Sequence, residues 1–326
     1  MKPYTVNEHN EKRILVRKKI FHIIVFLLLM NEGQSQQNAQ FTQYLFNQFG
    51  HHPALAGWRD CIEFRLGGRT QWVGFPGAPK TAFANFHTSL TRKKKGYLRS
   101  KHGVGANIES DQMGPWGMTR IYLAYAYHIP FNRKFKMSFG LYAGLQQYKL
   151  NVEDIVTEIA DDNAITGKTN VFIYPDIWPS LFLYSNDFFA GATIRHIVRN
   201  KLRKITADSH LRYHYTITAG KRFPFGERRS IVPSINFKWA SISAIELDLA
   251  AQLDFGNRFQ IGLGWRNTDA LFALARLNLG NLSFGYSFDW TTSKIKVGSA
   301  NTHEVIIGIN TCKKDMRNSD ECPAFN

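Results

Sequence analysis

The sequence motifs of hydrolases and nucleotide-binding proteins are absent or incomplete in this chain. Gly167-Lys168-Thr169 matches the end of a phosphate-binding loop, but Asp162 stands where the first glycine of that loop belongs. There is no G-x-S-x-G pattern, no H-E-x-x-H pattern and no paired-cysteine spacing for zinc. His196 and Ser209 have the residue types of a hydrolase pair, yet such pairs arise by chance in most chains. The sequence therefore predicts that the protein is not an enzyme.

Two other groups contain side chains that bind metals. His51 and His52 are adjacent, and in an extended chain adjacent side chains point in opposite directions, so the two rarely reach one ion. Asp161-Asp162-Asn163 offers the oxygen ligands that calcium prefers, but a solvated loop accounts for the same residues. We expect neither a metal nor another cofactor.

The chain is strongly basic, which first suggests nucleic acid or an acidic surface as its partner. Its 326 residues include 41 Lys+Arg against 25 Asp+Glu, a formal charge of +16, and the pI is near 9.8. The densest cluster of cations is Arg92, Lys93, Lys94 and Lys95, and no RNP, zinc-finger or helix-turn-helix pattern accompanies it. Its aromatic content of 14% argues against a disordered chain.

Residues 1–35 have the pattern of a secretory signal peptide. Several cations precede an apolar run from Ile20 to Met30, and the small residues Gly33 and Ser35 follow it. We expect cleavage before Gln36, which leaves 35 Lys+Arg against 22 Asp+Glu and a charge of +13. An exported protein does not normally meet nucleic acid, so anionic lipid headgroups or an acidic protein partner explain this charge better.

Side-chain character alternates with a period of two along the mature chain. Between Phe135 and Leu145 the odd positions are apolar and the even positions are mostly small or polar, and residues 245–255 and 282–291 repeat the alternation. Such alternation indicates β-strands, whose successive side chains point to opposite faces. Fourteen such segments recur, many near the ~9–11 residues that a tilted strand needs to cross a bilayer. The sequence therefore predicts an all-β fold, a transmembrane antiparallel β-barrel of about 14 strands.

The predicted connections indicate a barrel with both chain ends in the periplasm. The even-numbered connections are short, apart from the one with the basic turn, and the odd-numbered ones include the long stretch 151–176. A soluble two-sheet sandwich is the alternative, since its inner faces alternate in the same way. We assign the chain to a signal peptide (1–35), a periplasmic N-terminal segment (36–60), an outer-membrane β-barrel (61–312) and a periplasmic C-terminal tail (313–326).

Three cysteines are too few for a disulfide scaffold but enough for one bridge. Cys61 opens the first predicted strand and Cys312 closes the last, so a bridge between them would cross the seam of the barrel at its periplasmic end. Cys312–Cys322, which would close a loop in the tail, is the competing pair. Three unpaired thiols are the third alternative.

Two N-terminal motifs resemble those of a known family. The first motif comprises Gln43, Tyr44, Phe46, Asn47, Pro53, Ala54 and Gly57. The second is an R-x-Q-W-x-G-F-x-G-A-P-K-T string that comprises Arg69, Gln71, Trp72, Gly74, Phe75, Gly77, Ala78, Pro79, Lys80 and Thr81. With Asp187-Phe188-Phe189-Ala190-Gly191-Ala192, His196 and Cys322-Pro323-Ala324-Phe325, these motifs resemble the PorP/SprF family over residues 40–325. Two positions depart from its pattern, His52 for the family's usual Asn and Phe189 for its Tyr.

The motifs have alternative roles that the sequence leaves open. The glycines and prolines of the second motif would end the first strand in a rigid turn, with Trp72 and Phe75 as interfacial anchors, or the motif would contact a partner. Residues 43–57 precede the barrel, and they would either plug its lumen or bind periplasmic partners.

The resemblance implies a role in the type IX secretion system, because members of the family are outer-membrane barrels associated with that system. We therefore expect a bacterial outer-membrane protein that docks the secretion or gliding machinery or a secreted surface protein. Its expected partners are outer-membrane lipid, periplasmic components of the system and a secreted surface protein or adhesin, and not nucleic acid. The basic turn and the C-terminal tail would make the periplasmic contacts. The alternative function is a porin-like passive channel for small solutes.

Overall fold

Antiparallel strands make up most of the chain that the structure describes. The computed structural model describes residues 39–90, 100–151, 170–200, 210–240, 245–267, 269–299 and 301–311. In these residues a short helix, α1 (Gln48–His51), and a 3₁₀ turn (Pro53–Leu55) precede fifteen strands, and a second 3₁₀ turn (Lys294–Gly298) precedes the last strand. The strands are β1 (Glu63–Thr70), β2 (Lys80–Ser89), β3 (Lys101–Met113), β4 (Trp116–Pro130), β5 (Lys136–Leu150), β6 (Asn170–Tyr184), β7 (Phe188–Arg195), β8 (His214–Lys221), β9 (Phe223–Phe225), β10 (Arg229–Ala240), β11 (Glu246–Phe255), β12 (Phe259–Arg266), β13 (Ala270–Leu279), β14 (Leu282–Thr291) and β15 (Thr302–Asn310).

The strands close into one barrel. Apart from β8 and β9, each strand pairs with the next along the chain, and β15 pairs with β1 in a register that sets Glu63 opposite Asn310. Strands β8 and β9 are separated only by Arg222 and both pair with β10, so they form one interrupted strand of the wall. The described residues thus form a closed antiparallel barrel of fourteen strands, which confirms the fold predicted from the alternation. Closure removes the two free edge strands that an open sheet would have.

One predicted strand boundary was wrong. The sequence placed the start of the sixth strand at residue 177, whereas β6 begins at Asn170. The added residues pair with β5, from Asn170 opposite Leu150 to Asp176 opposite Gly144. The long connection is therefore shorter than expected because part of it continues the β5–β6 hairpin.

The two faces of the wall differ in polarity, as the alternation requires. Outward-facing residues are apolar and exposed, for example Leu123 and Leu263 at 70% and 71% exposure. Inward-facing positions of the wall carry buried polar residues, such as Asn107 of β3 and Ser138 of β5. An apolar belt around a polar interior is the pattern of a barrel in lipid. No helix in the described ranges is long and apolar enough to cross a membrane.

Exposed aromatic residues lie near the strand ends, as expected for interfacial girdles. Trp239, Trp265 and Trp290 are exposed at one end of the barrel, and Phe255 stacks on Phe259 at the other with ring centroids 6.1 Å apart. Aromatic rings prefer the interface between lipid and water. Their positions indicate the height of the apolar belt.

The barrel has two distinguishable ends. At the proximal end, where β1 begins and β15 ends, the connections 131–135, 185–187, 226–228, 256–258 and 280–281 are short. The distal end carries the connections 71–79, 196–213 and 292–301. Bacterial outer-membrane barrels have short periplasmic turns and longer outer loops.

The pairing of β1 with β15 predicts the disulfide partner of Cys61. Cys61 is disulfide-bonded, and Cys312 and Cys322 lie outside the described residues. We predict that Cys312 is the partner, because Ile62 already pairs with Thr311, whose N–H donates to the Ile62 carbonyl at 2.9 Å. Continuing this register by one residue sets position 312 opposite position 61.

Peptide mapping of the unreduced protein by mass spectrometry tests this pairing. A Cys61–Cys312 peptide is expected, and it should persist in a Cys322→Ser variant and disappear in a Cys312→Ser variant. A Cys61–Cys322 or Cys312–Cys322 peptide in the parent protein would contradict it.

Candidate functional site

Residues 39–58, called the plug here, fill the lumen of the barrel. Every residue from Gln40 to Trp58 is buried, and Leu45, Phe49 and Leu55 pack in one apolar cluster with inward-facing aromatic residues of the wall. The sequence left two roles open for residues 43–57, and the structure places these residues in the lumen. The expected periplasmic segment 36–60 is thus largely inside the barrel, because its apolar side chains are buried there.

The plug crosses the lumen from the distal to the proximal end. Near its start, Gln40 Nε2 donates to Glu246 Oε2 at 2.8 Å, at the distal end of β11. Near its end, the Ala56 carbonyl accepts from His128 Nε2 at 2.7 Å, in the proximal part of β4. The plug therefore contacts the wall over most of the height of the barrel.

Five buried charged residues form a group in the distal half of the lumen, called the distal charge cluster here. They are Arg69, Asp248, Arg266, Asp289 and Glu304, and none of their side chains is more than 2% exposed. Arg69 donates to Asp289 at 2.9 Å and to Glu304 at 3.1 Å. Arg266 donates to Asp248 at 2.7 Å and to Asp289 at 3.0 Å. The five residues come from β1, β11, β12, β14 and β15, which lie within one part of the wall, so the cluster joins residues that are distant in the chain.

Thr42 of the plug lies in the middle of this cluster. Its hydroxyl donates to Asp289 at 2.7 Å and accepts from Arg69 at 2.8 Å and from Arg266 at 3.2 Å. Its backbone N–H donates to Glu304 at 2.8 Å. Hydrogen bonds to charged groups are stronger than neutral ones. Thr42 is therefore the residue through which the wall charges hold the start of the plug.

Neutral polar contacts hold the middle of the plug. The two ring nitrogens of His52 lie 2.8 Å from Thr193 Oγ1 and 2.9 Å from Thr218 Oγ1. Both contacts are with hydroxyl groups, which can donate to one ring nitrogen and accept from the other. Tyr44 shares a hydrogen bond of 2.8 Å with Ser234. His52, at the position of the family's usual Asn, thus makes two hydrogen bonds to the wall.

The proximal half of the plug lies directly against wall glycines. A Cβ on Gly140 would lie 2.2 Å from the backbone nitrogen of Ala54, and one on Gly103 would lie 1.9 Å from the Ala56 carbonyl oxygen. A side chain at either position would displace the plug. The Tyr142 hydroxyl also donates to the Phe49 carbonyl at 2.7 Å.

The second sequence motif is divided between the lumen and the distal end. Arg69 belongs to the distal charge cluster, whereas residues 71–79 form the connection from β1 to β2. Gly74 and Gly77 have φ of +91° and +72°, which favour glycine in the turn. The Gln71 N–H donates to the Pro79 carbonyl at 2.9 Å across the base of this connection, and Phe75 is exposed at its tip. Thr81, at the end of the motif, donates to Asp111 at 2.6 Å.

The structure separates the other residues singled out from the sequence. All seven residues of the first motif lie in the plug. Arg92, Lys93, Lys94 and Lys95 lie outside the described residues, between the proximal ends of β2 and β3. His196 hydrogen-bonds through Nδ1 to the Asp176 carboxylate at 2.8 Å, which also accepts from Tyr122 at 2.9 Å. This is a hydrogen-bonded network of the wall, and Ser209 lies outside the described residues.

Sequence reasoning missed most of the distal charge cluster. Asp248, Arg266, Asp289 and Glu304 lie in separate strands, and no motif links them. The signal available was a charge at an inward-facing position of an alternating strand, where a small or polar residue is usual. No group of His, Cys, Asp or Glu in the described ranges could hold a metal ion. The contacts between the plug and the wall keep the plug in the lumen.

Comparisons with known proteins give a family and several low-identity structural likenesses. The family described as "Type IX secretion system membrane protein PorP/SprF" matches residues 33–309. No curated protein matches the chain.

Among solved structures, the chain is similar to the toluene transporter TbuX of Ralstonia pickettii. The two share 9% identity over 79% of this chain and 91% of that chain, with a TM-score of 0.48. The CymD monoaromatic hydrocarbon channel shares 10% identity over 85% of this chain and 94% of that chain, with a TM-score of 0.46. The β domain of the Bordetella autotransporter Brka shares 11% identity over 77% of this chain and 98% of that chain, with a TM-score of 0.34. Likenesses this low carry no information on function.

The distal charge cluster predicts a large effect of one neutralising substitution. Asp289→Asn removes the carboxylate that accepts from both Arg69 and Arg266, so each arginine loses one of its two buried ion pairs. We expect a loss on the order of 3 kcal/mol in the free energy of unfolding, measured by denaturant unfolding of the barrel in detergent.

Glu227→Gln is the matched control, because Glu227 is an exposed acid in a proximal connection. Its unfolding is expected to stay within about 0.5 kcal/mol of the parent. Equal effects of the two substitutions would show that the cluster does not stabilise the closed barrel.

Proposed function

The chain belongs to the PorP/SprF family of type IX secretion system membrane proteins, and from this membership we propose that it is a docking component of that system in the bacterial outer membrane. In this role the barrel anchors the secretion or gliding machinery, or one secreted surface protein, by binding it. The plug supports this proposal independently of the family membership. A lumen crossed by a hydrogen-bonded segment suits a platform better than a passive pore.

The contacts of the plug support docking over conduction. Charged groups hold its start at Thr42, hydroxyl groups hold its middle at His52, and backbone contacts hold its end at Ala54. A porin keeps a water-filled channel through a polar lumen. Here the inward-facing polar groups bind the plug instead.

The proximal end is the proposed periplasmic contact surface. The described chain stops at Leu90 and resumes at Ser100 on this end, and it stops again at Thr311 on the same end. The intervening basic turn, residues 92–95, and the tail, residues 313–326, are the segments proposed to bind periplasmic components. The plug is no longer part of this proposed surface, because its side chains are buried in the lumen.

The distal end is the proposed site for a secreted surface protein or adhesin. It carries the β1–β2 connection, whose Phe75 is exposed, and the 3₁₀ turn with Val297, which is 98% exposed. Phe75 packs beside Gly298, so the two connections lie together and expose apolar groups. Exposed apolar groups on loops commonly mark a binding surface.

Co-purification tests the docking role. The full-length protein is extracted from membranes in mild detergent, and the proteins that accompany it are identified by mass spectrometry. We expect periplasmic components of the secretion system, and we expect deletion of residues 313–326 to remove them.

Charge reversal gives a matched control for this experiment. Lys93→Glu, Lys94→Glu and Lys95→Glu together are expected to reduce recovery of the periplasmic components, because the proposed contact is electrostatic. Lys294→Glu and Lys296→Glu reverse exposed charges at the distal end and are expected to leave recovery unchanged. If neither the deletion nor the proximal reversal changes recovery or secretion, the proposed contacts are wrong.

Planar-bilayer recording tests the passive-channel alternative. We expect the parent barrel to show little steady ion conductance, because the plug occupies the lumen. A variant that lacks residues 39–56 is the matched comparison, and it should conduct if it keeps the heat-dependent gel shift of a folded barrel. Steady conductance of the parent at the level of this variant would favour the porin-like function.

A further inference from the structure

Arg276 of β13 is a buried cation that lacks an acceptor among the described residues. The residue is 6% exposed, and its Nε atom is buried without a hydrogen-bond partner. No carboxylate oxygen in the described ranges comes within 4.0 Å of its guanidinium. Burying a charge without a partner costs free energy, because the group loses its hydration and gains no hydrogen bond. The side chain is therefore expected to serve a ligand.

A plug residue holds Arg276 beside a second arginine. The guanidinium carbon of Arg276 lies 4.6 Å from the centroid of the Phe46 ring, and that of Arg65 lies 5.2 Å from the same centroid. Phe46 in turn packs where Gly285 and Gly308 leave space, since Cβ atoms there would approach its ring to 2.7 Å and 3.3 Å. Contact with an aromatic face stabilises a cation but supplies no acceptor for its N–H groups. The plug thus fixes two guanidinium groups near each other.

The nearby carboxylates are already paired with other arginines. Glu63 accepts from Arg65 at 2.9 Å and lies 3.6 Å from Arg59. Asp254 pairs with Arg222 at 3.0 Å. Arg65 also keeps a buried Nε without a partner. This part of the lumen therefore has an excess of positive charge and unused N–H donors.

The geometry also gives the direction of entry. Arg276 is three residues from the proximal end of β13, and Arg65 is two residues from the proximal start of β1. The distal charge cluster is at the other end of the barrel, where its arginines already face acids. A ligand for Arg276 would therefore enter through the proximal end.

We propose that Arg276, with Arg65 beside it, forms an oxyanion-binding site in the proximal lumen, for a phosphate or a carboxylate group. A guanidinium presents a planar fork of donors that matches both groups. Both guanidinium groups contact the same Phe46 ring, and each keeps a buried Nε without a partner, so this part of the lumen favours an anion. The site does not depend on the proposed docking role, because it is defined by the barrel and its plug.

Thermal unfolding of the full-length barrel in phosphate-free detergent solution tests the proposal. Sodium phosphate and, separately, sodium acetate are titrated at constant ionic strength against chloride. At least one of the two anions is expected to raise the unfolding temperature in a saturable manner. Arg276→Gln is expected to weaken this binding by about tenfold or more, because a charge-assisted pair of hydrogen bonds is lost.

Two variants control the experiment. Arg133→Gln removes an exposed arginine of a proximal connection, and its anion response should equal that of the parent. Arg276→Met gives a second neutral side chain, and it should lose the response as Arg276→Gln does. Without added anion, both Arg276 variants are expected to unfold at or above the temperature of the parent, since they remove an unpaired buried cation.

The outcomes separate the two sources of the oxyanion. A response to phosphate alone assigns a phosphate site, and a response to acetate, with or without phosphate, assigns a site open to carboxylates. The proposal is overturned if neither anion gives a saturable response, or if the Arg276 variants respond as the parent does. Neither result bears on co-purification with the secretion system, so the anion site and the docking role are tested independently.

Discussion

The need to partner buried charge is the constraint on which this structure depends. The inward faces of the barrel carry arginines and acids that water no longer reaches freely, and each requires a counter-charge or a hydrogen bond. In the distal half, acids of the wall supply the counter-charges of the arginines. The hydroxyl and the N–H of Thr42 add hydrogen bonds to these acids. Plug and wall are therefore stable in their present form only together. A closed lumen is the consequence.

The wall shows a second adaptation to the plug in its choice of small and large side chains. Glycines face the plug backbone at Gly103 and Gly140, where no side chain fits, while the buried side chains of Tyr122, Tyr142 and Trp178 fill other parts of the lumen. Dense packing of this kind is a property of protein interiors and not of water-filled pores. It leaves the two ends of the barrel as the surfaces for partners. The proximal arginines are the exception, because their donors are only partly used.

The fold was accessible from the sequence because lipid imposes a simple rule on each strand. Every strand had to alternate between apolar and polar positions, so counting such segments gave the fourteen strands of the wall. The start of β6 was missed because its first residues are stabilised by pairing with β5 and carry little signal of their own. The role of the first motif was left open because its residues bind groups far away in the chain. For example, the N–H of Gln43 donates to the carboxylate of Glu304.

The sequence by itself determined the alternation, the strand number, the likeness to a secretion family and the presence of two motifs. These features are local, since neighbouring residues and the lipid environment are enough to specify them. Only the tertiary structure decided that the first motif plugs the lumen, that Arg69 binds Thr42 and that Arg276 lacks an acceptor among the residues described. Each of these depends on which strands meet across a closed barrel. The physical reason is that burial and pairing of charge are properties of distances in space, which chain order does not contain.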